Sequence, residues 1–252
     1  MVNCLLAGIP VQFENQYPEL AQLCRGYETE LPPAFHISVS AGELEQERRQ
    51  QPGEFSNGYL ETVCSYRQAA NRLLERNVFV MHASVVALDG EAYAFLAPSG
   101  VGKTTQTRLW QQYFGRRLQV INGDKPLIAM ECQGQGQSIQ FRAYGTPWRG
   151  KEGMGCKASA PLKALFFLRR SDTPGAAPAG HAQCVELLFR QLLLPKEPEG
   201  MLRLLEMADK LIDTVPFYIL DCDMTERSVL CAYRAAKHPQ SIGMEETKGN
   251  TQ

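Results

Sequence analysis

The segment Ala97–Thr105, which has the sequence APSGVGKTT, constrains the fold and chemistry of this chain more than any other. It matches the phosphate-loop pattern GxxxxGK[ST], except that Ala97 takes the first glycine position. Glycines let successive backbone N–H groups converge on phosphate oxygens, because they carry no Cβ. In such a loop Lys103 supplies positive charge to the terminal phosphates, and the Thr104 hydroxyl binds Mg²⁺. The segment therefore predicts that the chain binds ATP, or another nucleoside triphosphate, together with Mg²⁺.

The residues around this loop are those that a phosphate loop requires. The apolar segment Ala92–Leu96 predicts a strand before the loop, and Thr104–Phe114 predicts a helix after it. Free N–H groups and the helix dipole favour an anion at the N-terminus of that helix. Alanine at position 97 is acceptable there if its φ is negative. The residues of this segment expected to bind the nucleotide are Ser99, Gly100, Val101, Gly102, Lys103, Thr104 and Thr105.

A strand predicted over Leu118–Ile121 is followed by the sequence Asn-Gly-Asp-Lys-Pro, which places an acidic residue, Asp124, after the loop and its helix. A carboxylate in that position is expected to organise Mg²⁺, so Asp124 and Thr104 are the predicted metal ligands. Lys125 follows at once and is expected either to pair with Asp124 or to reach the phosphates. Asn-Gly-Asp is also strong turn chemistry, but its position after a phosphate loop favours the functional interpretation.

Hydrophobic patterns divide the chain into three parts. Residues 1–76 are expected to form a small N-terminal α+β annex, residues 77–238 a nucleotide-binding domain, and residues 239–252 a flexible polar tail. In the annex we expect strands over Ala7–Phe13 and Phe35–Ser40, an exposed helix or loop over Glu43–Phe55, and a helix over Tyr59–Arg76.

The nucleotide-binding domain begins with a predicted hairpin. Val78–Ala87 is rich in β-branched residues, and an Asp-Gly turn separates it from the strand before the loop. Because a hairpin makes its strands antiparallel, we expect an α/β fold with a mixed sheet. Further strands are predicted over Leu127–Met130, Ile139–Tyr144, Ala164–Leu168 and Phe217–Leu220, and further helices over Cys184–Leu194, Met201–Val215 and Thr225–Lys237.

Composition excludes several classes of partner. The 252 residues carry a net charge of −1, so no global positive field attracts nucleic acid or anionic membranes. No stretch approaches the ~20 apolar residues of a membrane helix, and the first fifteen residues show no basic leader. The eight cysteines form no CxxC pair and are interpreted as reduced thiols. We therefore expect a cytoplasmic protein that binds neither nucleic acid nor membranes.

Three segments in this order, Met81–Ser84, Ala97–Thr105 and Ile121–Lys125, resemble HPr kinase/phosphorylase and its relatives, which include ATP-dependent phosphoenolpyruvate carboxykinase. Arg149-Gly150, within TPWRGKEGMG, looks like the family's Arg-Gly signature loop. The resemblance covers roughly residues 78–170 and is closer still to HPr-kinase-like bacterial proteins, in which alanine at position 97 is normal. It implies a mixed-sheet P-loop nucleotide-binding domain of the HPr kinase/PEP carboxykinase type.

The resemblance also implies a function. It points to an ATP- and Mg²⁺-dependent kinase that transfers the γ-phosphoryl group to a hydroxyl, on a serine of a protein or peptide or on a small metabolite. Asp124 would orient the acceptor hydroxyl, Lys103 would hold the phosphates, and Arg149 or Lys151 would face a phosphate. His82 would polarise the γ-phosphate or the acceptor site; the alternative is a buried, hydrogen-bonded core histidine. HPr kinase is an oligomer, so self-association of this chain is left open.

Two departures from the family pattern keep other functions open. Gly123 replaces the first residue of the family's Asp-Asp pair. The family's metal-binding glutamate near the Arg-Gly signature has no clear counterpart, and Glu152 could substitute only if its loop bends back. One alternative is therefore a catalytically weakened nucleotide-binding regulatory module. A less favoured alternative is a carboxykinase-like enzyme, whose additional metal-binding lysine and histidine are not recognisable here.

Overall fold

The computed structural model describes residues 1–134 and 138–238. The predicted tail, 239–252, lies outside the described residues, as do residues 135–137, between two of the predicted strands. Within the described part of the chain, no helix is both long enough and apolar enough to cross a membrane.

The annex contains a three-stranded sheet and three helices. Strands β1 (Val2–Leu6) and β2 (Ile9–Glu14) form an antiparallel hairpin, and β3 (Phe35–Ser38) pairs in parallel with β2. The strand predicted to begin at Ala7 is wrong at that end, because Ala7 and Gly8 form the hairpin turn with φ of 48° and 77°. Two-residue hairpins of this kind need positive φ at both positions. The elements are β1 (Val2–Leu6), β2 (Ile9–Glu14), α1 (Pro18–Leu23), β3 (Phe35–Ser38), α2 (Ala41–Gln50) and α3 (Asn57–Leu74).

Local capping explains two of these helices. The Ser40 hydroxyl accepts a hydrogen bond from the Glu43 backbone, and the Glu43 carboxylate accepts one from the Ser40 backbone, so a capping box begins α2. The polar segment predicted as an exposed helix or loop is thus helical as far as Gln50. Helix α3 has a simpler cap, in which the Ser56 hydroxyl accepts a hydrogen bond from the Tyr59 backbone N–H.

Beyond the annex, the residues described up to 238 form a mixed sheet of nine strands with helices on both faces, which confirms the expected mixed α/β architecture. The strands are β4 (Val78–Val80), β5 (Ala83–Leu88), β6 (Glu91–Leu96), β7 (Leu118–Asn122), β8 (Leu127–Gln133), β9 (Ser138–Tyr144), β10 (Ser159–Arg170), β11 (Gly175–Pro178) and β12 (Phe217–Cys222). The sheet order is β4-β8-β9-β10-β6-β5-β7, with β12 beside β10 and β11 beside β12. Strand β10 is parallel to β6 and β12, whereas β5 is antiparallel to β6 and β7. The helices are α4 (Lys103–Phe114), α5 (His181–Phe189), α6 (Pro198–Thr214) and α7 (Glu226–Lys237).

Two predicted elements of this domain are corrected. The single strand predicted over Val78–Ala87 is interrupted at His82, because β4 pairs with β8 whereas β5 pairs with β6 and β7. The backbone N–H of His82 donates instead to the Gln191 carbonyl, 2.7 Å away. The helix predicted over Cys184–Leu194 ends at Phe189, and Leu192 beyond it forms a β-bridge with Met81.

The core has separate apolar clusters on the two faces of the large sheet. Helices α5 and α6 pack on one face, while α4 and α7 pack on the other, around the fully buried Trp110. A third cluster joins the annex to β4 and β8, with Phe13 and Tyr66 on one side and Val80 and Leu127 on the other. The annex therefore packs directly on the large sheet, while the boundary at residue 76 stays a prediction.

Trp110 tests this packing. It has no exposed surface and contacts Tyr93, Phe95 and Phe114 through its ring. Trp110→Ala should lower the free energy of unfolding by about 3–5 kcal/mol, because it removes a large side chain from a packed core. Gln112→Ala, on the exposed face of the same helix, should change it by less than about 0.5 kcal/mol. Urea unfolding of both variants measures the difference, and similar values would contradict the packing described.

Candidate functional site

The first glycine loop (residues 97–102) connects β6 to α4. Gly100 and Gly102 have φ of 80° and 132°, which only glycine adopts without strain. A Cβ at either position would have no atom within 4 Å, so glycine is required there by backbone conformation and not by lack of space. Ala97 is buried and lies outside the left-handed region, which explains why alanine fits the first position of the pattern.

Lys103 lies at the start of α4 and folds back over this loop. Its Nζ donates a hydrogen bond to the Ala97 carbonyl at 2.6 Å, and the residue is only 8% exposed. Burial lowers the pKa of the Lys103 ammonium below its ordinary value, while the nearby Asp124 carboxylate opposes part of that shift. An anion entering the loop would thus meet a partly desolvated cation.

A second cation, which sequence reasoning missed, holds the loop from outside. Arg170, the last residue of β10, donates through Nη2 to the Gly100 carbonyl at 2.5 Å and through Nε to the Val101 carbonyl at 3.5 Å. Its guanidinium thus supports the conformation in which the loop backbone is held. The only sequence signal is an arginine at the end of a buried strand, which does not reveal the contact.

Two segments distant in sequence run side by side next to the loop. The N–H of Met81 donates to the Pro126 carbonyl at 3.2 Å, and the N–H of Ala83 donates to the Asp124 carbonyl at 3.1 Å. These bonds place the His82 side chain beside that of Asp124. The His82 side chain is 38% exposed, so the alternative of a buried core histidine is wrong.

Asp124 is held between two basic groups. Its Oδ1 lies 3.3 Å from His82 Nε2, and its Oδ2 accepts a hydrogen bond from Lys125 Nζ at 2.7 Å. Burial by itself would raise the pKa of the Asp124 carboxyl, but the hydrogen bonds from His82 and Lys125 outweigh it and hold that pKa well below its ordinary value. Asp124 is therefore a carboxylate at neutral pH.

An Asx turn aims this carboxylate. The Asn122 side chain, fully buried, accepts hydrogen bonds through Oδ1 from the backbone N–H groups of Asp124 and Lys125, at 2.8 and 2.7 Å. Its Nδ2 donates to Thr146 Oγ1 at 2.9 Å. The turn chemistry and the proposed function of Asp124, weighed as alternatives from the sequence, are thus compatible.

The second glycine loop (residues 149–156) covers Asp124. The N–H of Gly123 donates to the Met154 carbonyl at 2.9 Å. Gly150 has φ of 71°, and a Cβ there would lie 2.8 Å from the Asp124 Cβ. A Cβ at Gly123 would lie 3.2 Å from the Met154 Cβ, so an aspartate in this position would require the loop to shift by a few tenths of an ångström.

The charged residues of this loop point in different directions. Arg149 donates through Nη1 to the Gly155 carbonyl at 3.2 Å. Glu152 pairs with Arg108 of α4 at 2.5 Å, and both side chains are at least half exposed. Lys151 is exposed at the rim of the cleft. Arg108, an exposed residue of α4, thus links this helix to the second loop.

The annex contacts the site from one side. The Lys125 ammonium lies 5.6 Å from the centroid of the Tyr66 ring in α3. Trp148, which precedes the second loop, donates through Nε1 to the Thr62 carbonyl at 3.1 Å and packs against the Tyr66 ring. Helix α3 therefore supports both Lys125 and the second loop, a role that the sequence did not indicate.

The two loops and the His82–Asp124 pair enclose one cleft of about 440 Å³. Of the residues predicted from the sequence for nucleotide, metal or catalysis, Val101 and Lys125 do not line it, and the others do. Its lining residues are His82, Ser84, Ser99, Gly100, Gly102, Lys103, Thr104, Thr105, Gly123, Asp124, Arg149, Gly150, Lys151, Glu152 and Met154. The structure brings these residues together, while their individual roles stay predictions.

The cleft chemistry fits Mg²⁺ accompanied by an anion. Mg²⁺ prefers oxygen ligands and usually combines one or two carboxylates with phosphate oxygens and water. The Thr104 hydroxyl and the Asp124 carboxylate, both in the cleft lining, would supply two such ligands. Among the described residues, no group of three or more His, Cys, Asp or Glu side chains is placed to hold a metal by itself. Phosphate oxygens and water would therefore complete the coordination.

Comparison with known proteins places the chain in a family. Residues 60–228, more than half of the chain, match the family described as SynChlorMet cassette protein ScmC. The chain belongs to that family. The chain is also similar to a solved structure, the HPr(Ser) kinase/phosphatase from Coxiella burnetii, at 9% sequence identity and a TM-score of 0.35. The match covers 64% of this chain and 95% of that one. None of the curated proteins matches the chain significantly.

The contact between the second loop and Asp124 can be tested with two alanine variants. Gly150 and Gly153 both have positive φ, but a Cβ at Gly153 would have no atom within 4 Å. Each variant should therefore lose about 1–2 kcal/mol of unfolding free energy for the backbone conformation. Gly150→Ala should lose at least about 1 kcal/mol more, because its Cβ collides with Asp124. Equal losses in urea unfolding would show that the loop does not lie on Asp124.

Proposed function

We propose that this protein is an ATP- and Mg²⁺-dependent kinase that transfers the γ-phosphoryl group to a hydroxyl on a protein, a peptide or a small metabolite. One observation carries the proposal: the first glycine loop with Lys103, and the Asp124 carboxylate held by His82 and Lys125, line or border a single cleft. Phosphoryl transfer needs both parts of this cleft: a phosphate half that holds the phosphates and an acceptor half that orients the acceptor hydroxyl.

The phosphate half would be built from the first loop and the N-terminus of α4. Lys103, Arg149 and Lys151 bring three positive charges to the cleft, against Asp124 and Glu152. The Lys103 ammonium would exchange the Ala97 carbonyl for a phosphate oxygen, which is a stronger acceptor because it is charged. Cations from two loops around the transferring oxygens stabilise the charge of the transition state.

The acceptor half would be the Asp124 carboxylate with His82. The acceptor oxygen forms a bond to the γ-phosphorus, the bond between that phosphorus and the β–γ bridging oxygen breaks, and ADP leaves. The hydroxyl proton passes to the Asp124–His82 pair. A loose transition state needs little help from a base before bond formation, so a carboxylate with a low pKa serves chiefly to accept a hydrogen bond and orient the hydroxyl.

Mg²⁺, held by Thr104 and Asp124, would neutralise charge on the β- and γ-phosphate oxygens. In the structure both Asp124 oxygens already have basic partners, His82 and Lys125. Metal binding would therefore replace or share one of these contacts. Lys125, once displaced, has the length to turn toward phosphate.

A second candidate is a regulatory module that binds nucleotide without turnover. Two observations favour it: Gly123 carries no carboxylate, and the second loop packs so closely on Gly123 that an aspartate would not fit without movement. Such a module would use nucleotide binding to order a loop and present a surface to a partner. The two candidates make the same prediction for binding and opposite predictions for turnover.

Binding is tested by isothermal titration of MgATP and, separately, MgGTP. Wild type should bind at least one of them, and Lys103→Met should bind at least about tenfold more weakly, because it loses a charged hydrogen bond worth about 1.5–3 kcal/mol. Lys163→Met is the matched control, since Lys163 pairs with Glu91 and does not line the cleft. Absence of binding in wild type, or equal loss in the control, would contradict both candidates.

Turnover is tested by ADP release from the same samples. A kinase without its own acceptor should transfer the γ-phosphoryl group slowly to water and so release ADP. Asp124→Asn should lower the rate of ADP release at least about tenfold, because the acceptor loses its orienting carboxylate. Tight nucleotide binding without ADP release, whichever hydroxyl compound is offered as the acceptor, would support the regulatory module. A gain of turnover in Gly123→Asp would do the same, because it would restore a lost carboxylate.

A further inference from the structure

Gln191 lies directly behind the site, on the segment that follows α5. Its carbonyl accepts the His82 backbone N–H at 2.7 Å, and two residues later the N–H of Leu193 donates to the Val80 carbonyl at 3.4 Å. The segment thus runs along the break between β4 and β5. Gln191 is only 6% exposed, so its side-chain amide needs partners inside the protein.

The surroundings determine which way the Gln191 amide points. When its nitrogen faces the site, it lies 3.3 Å from His82 Nδ1, 3.3 Å from the His82 carbonyl oxygen and 3.1 Å from the Ala97 carbonyl oxygen, so its two N–H groups are shared among three acceptors. The reverse orientation would place the amide oxygen against the carbonyl oxygens of His82 and Ala97, neither of which can donate a hydrogen bond. The hydrogen-bond pattern therefore assigns the nitrogen to the side of His82 and Ala97.

This orientation fixes the histidine tautomer. When Nδ1 accepts a hydrogen bond, the hydrogen of the neutral imidazole resides on Nε2. Nε2 is the atom that lies 3.3 Å from Asp124 Oδ1, so this tautomer turns the ring hydrogen toward the carboxylate. The same Gln191 nitrogen also contacts the Ala97 carbonyl oxygen, which accepts a hydrogen bond from the Lys103 ammonium.

We propose that Gln191 is a positioning residue of this site: its amide nitrogen holds the His82 ring with the hydrogen on Nε2, facing Asp124, and ties that ring to the first residue of the first glycine loop. Through this one side chain the acceptor half and the phosphate half of the cleft keep a fixed separation. Its part in phosphoryl transfer rests on the proposed function, whereas its hydrogen bonds to His82 and Ala97 do not.

Nitrogen-15 NMR of the histidine side chains tests this assignment on the full chain without nucleotide. The His82 signals are identified by their loss in His82→Gln. In wild type, His82 Nδ1 should resonate as an unprotonated nitrogen that accepts a hydrogen bond, and Nε2 as a protonated one. In Gln191→Met, the Nδ1 resonance should move toward that of a nitrogen without a donor. Gln183→Met, an exposed position of α5, should leave it unchanged.

Two results would overturn the proposal. One is a neutral wild-type His82 ring that carries its hydrogen on Nδ1, which would mean that the Gln191 oxygen faces the ring. The other is an Nδ1 resonance that does not move in Gln191→Met. The wild-type spectrum decides the first point even if the variant fails to fold. Because no nucleotide is present, failure of the kinase proposal would leave both results intact and would show instead in the binding and turnover assays.

Discussion

The backbone hydrogen bonds between residues 81–83 and residues 124–126 are the contacts on which the rest of the site depends. They cross the point where the chain leaves one part of the sheet for another, and they set the His82 side chain next to the Asp124 carboxylate. The Asx turn of Asn122 then fixes the direction of that carboxylate. Backbone pairing of this kind costs little to maintain, because buried N–H and C=O groups must find partners in any case.

Positively charged side chains contact the first glycine loop and belong to the second. Lys103 and Arg170 bind carbonyl groups of the first glycine loop from two sides and hold its conformation. Arg149 and Lys151 come from the second glycine loop, which lies on Asp124 because Gly150 leaves no side chain between them. The cleft thus combines cations at both glycine loops with the Asp124 carboxylate and with a second acidic side chain, Glu152.

Much of this site is local in sequence and could be predicted. The glycine spacing, Lys103, Thr104 and the acidic residue after the next strand follow from short motifs whose chemistry needs those residue types. The mixed sheet followed from the Asp-Gly hairpin. The contacts of Arg170, Gln191 and Arg108 could not be predicted, because each joins segments far apart in the chain and involves a residue type that is common on surfaces. The break at His82 and the early end of α5 could not be predicted for the same reason. At this point the His82 N–H donates to the carbonyl of Gln191, a residue far along the chain, and not to a neighbouring strand.

The central claim is that the first glycine loop and Asp124 act on one bound nucleotide. A crystal structure of the protein with Mg²⁺ and a non-hydrolysable ATP analogue tests it most directly. We expect the β- and γ-phosphates within hydrogen-bond distance of the backbone N–H groups of residues 100–104, with Lys103 moved from the Ala97 carbonyl to a phosphate oxygen and the metal bound by Thr104 and Asp124. A nucleotide bound elsewhere, or phosphates that leave Lys103 on the Ala97 carbonyl, would contradict the account.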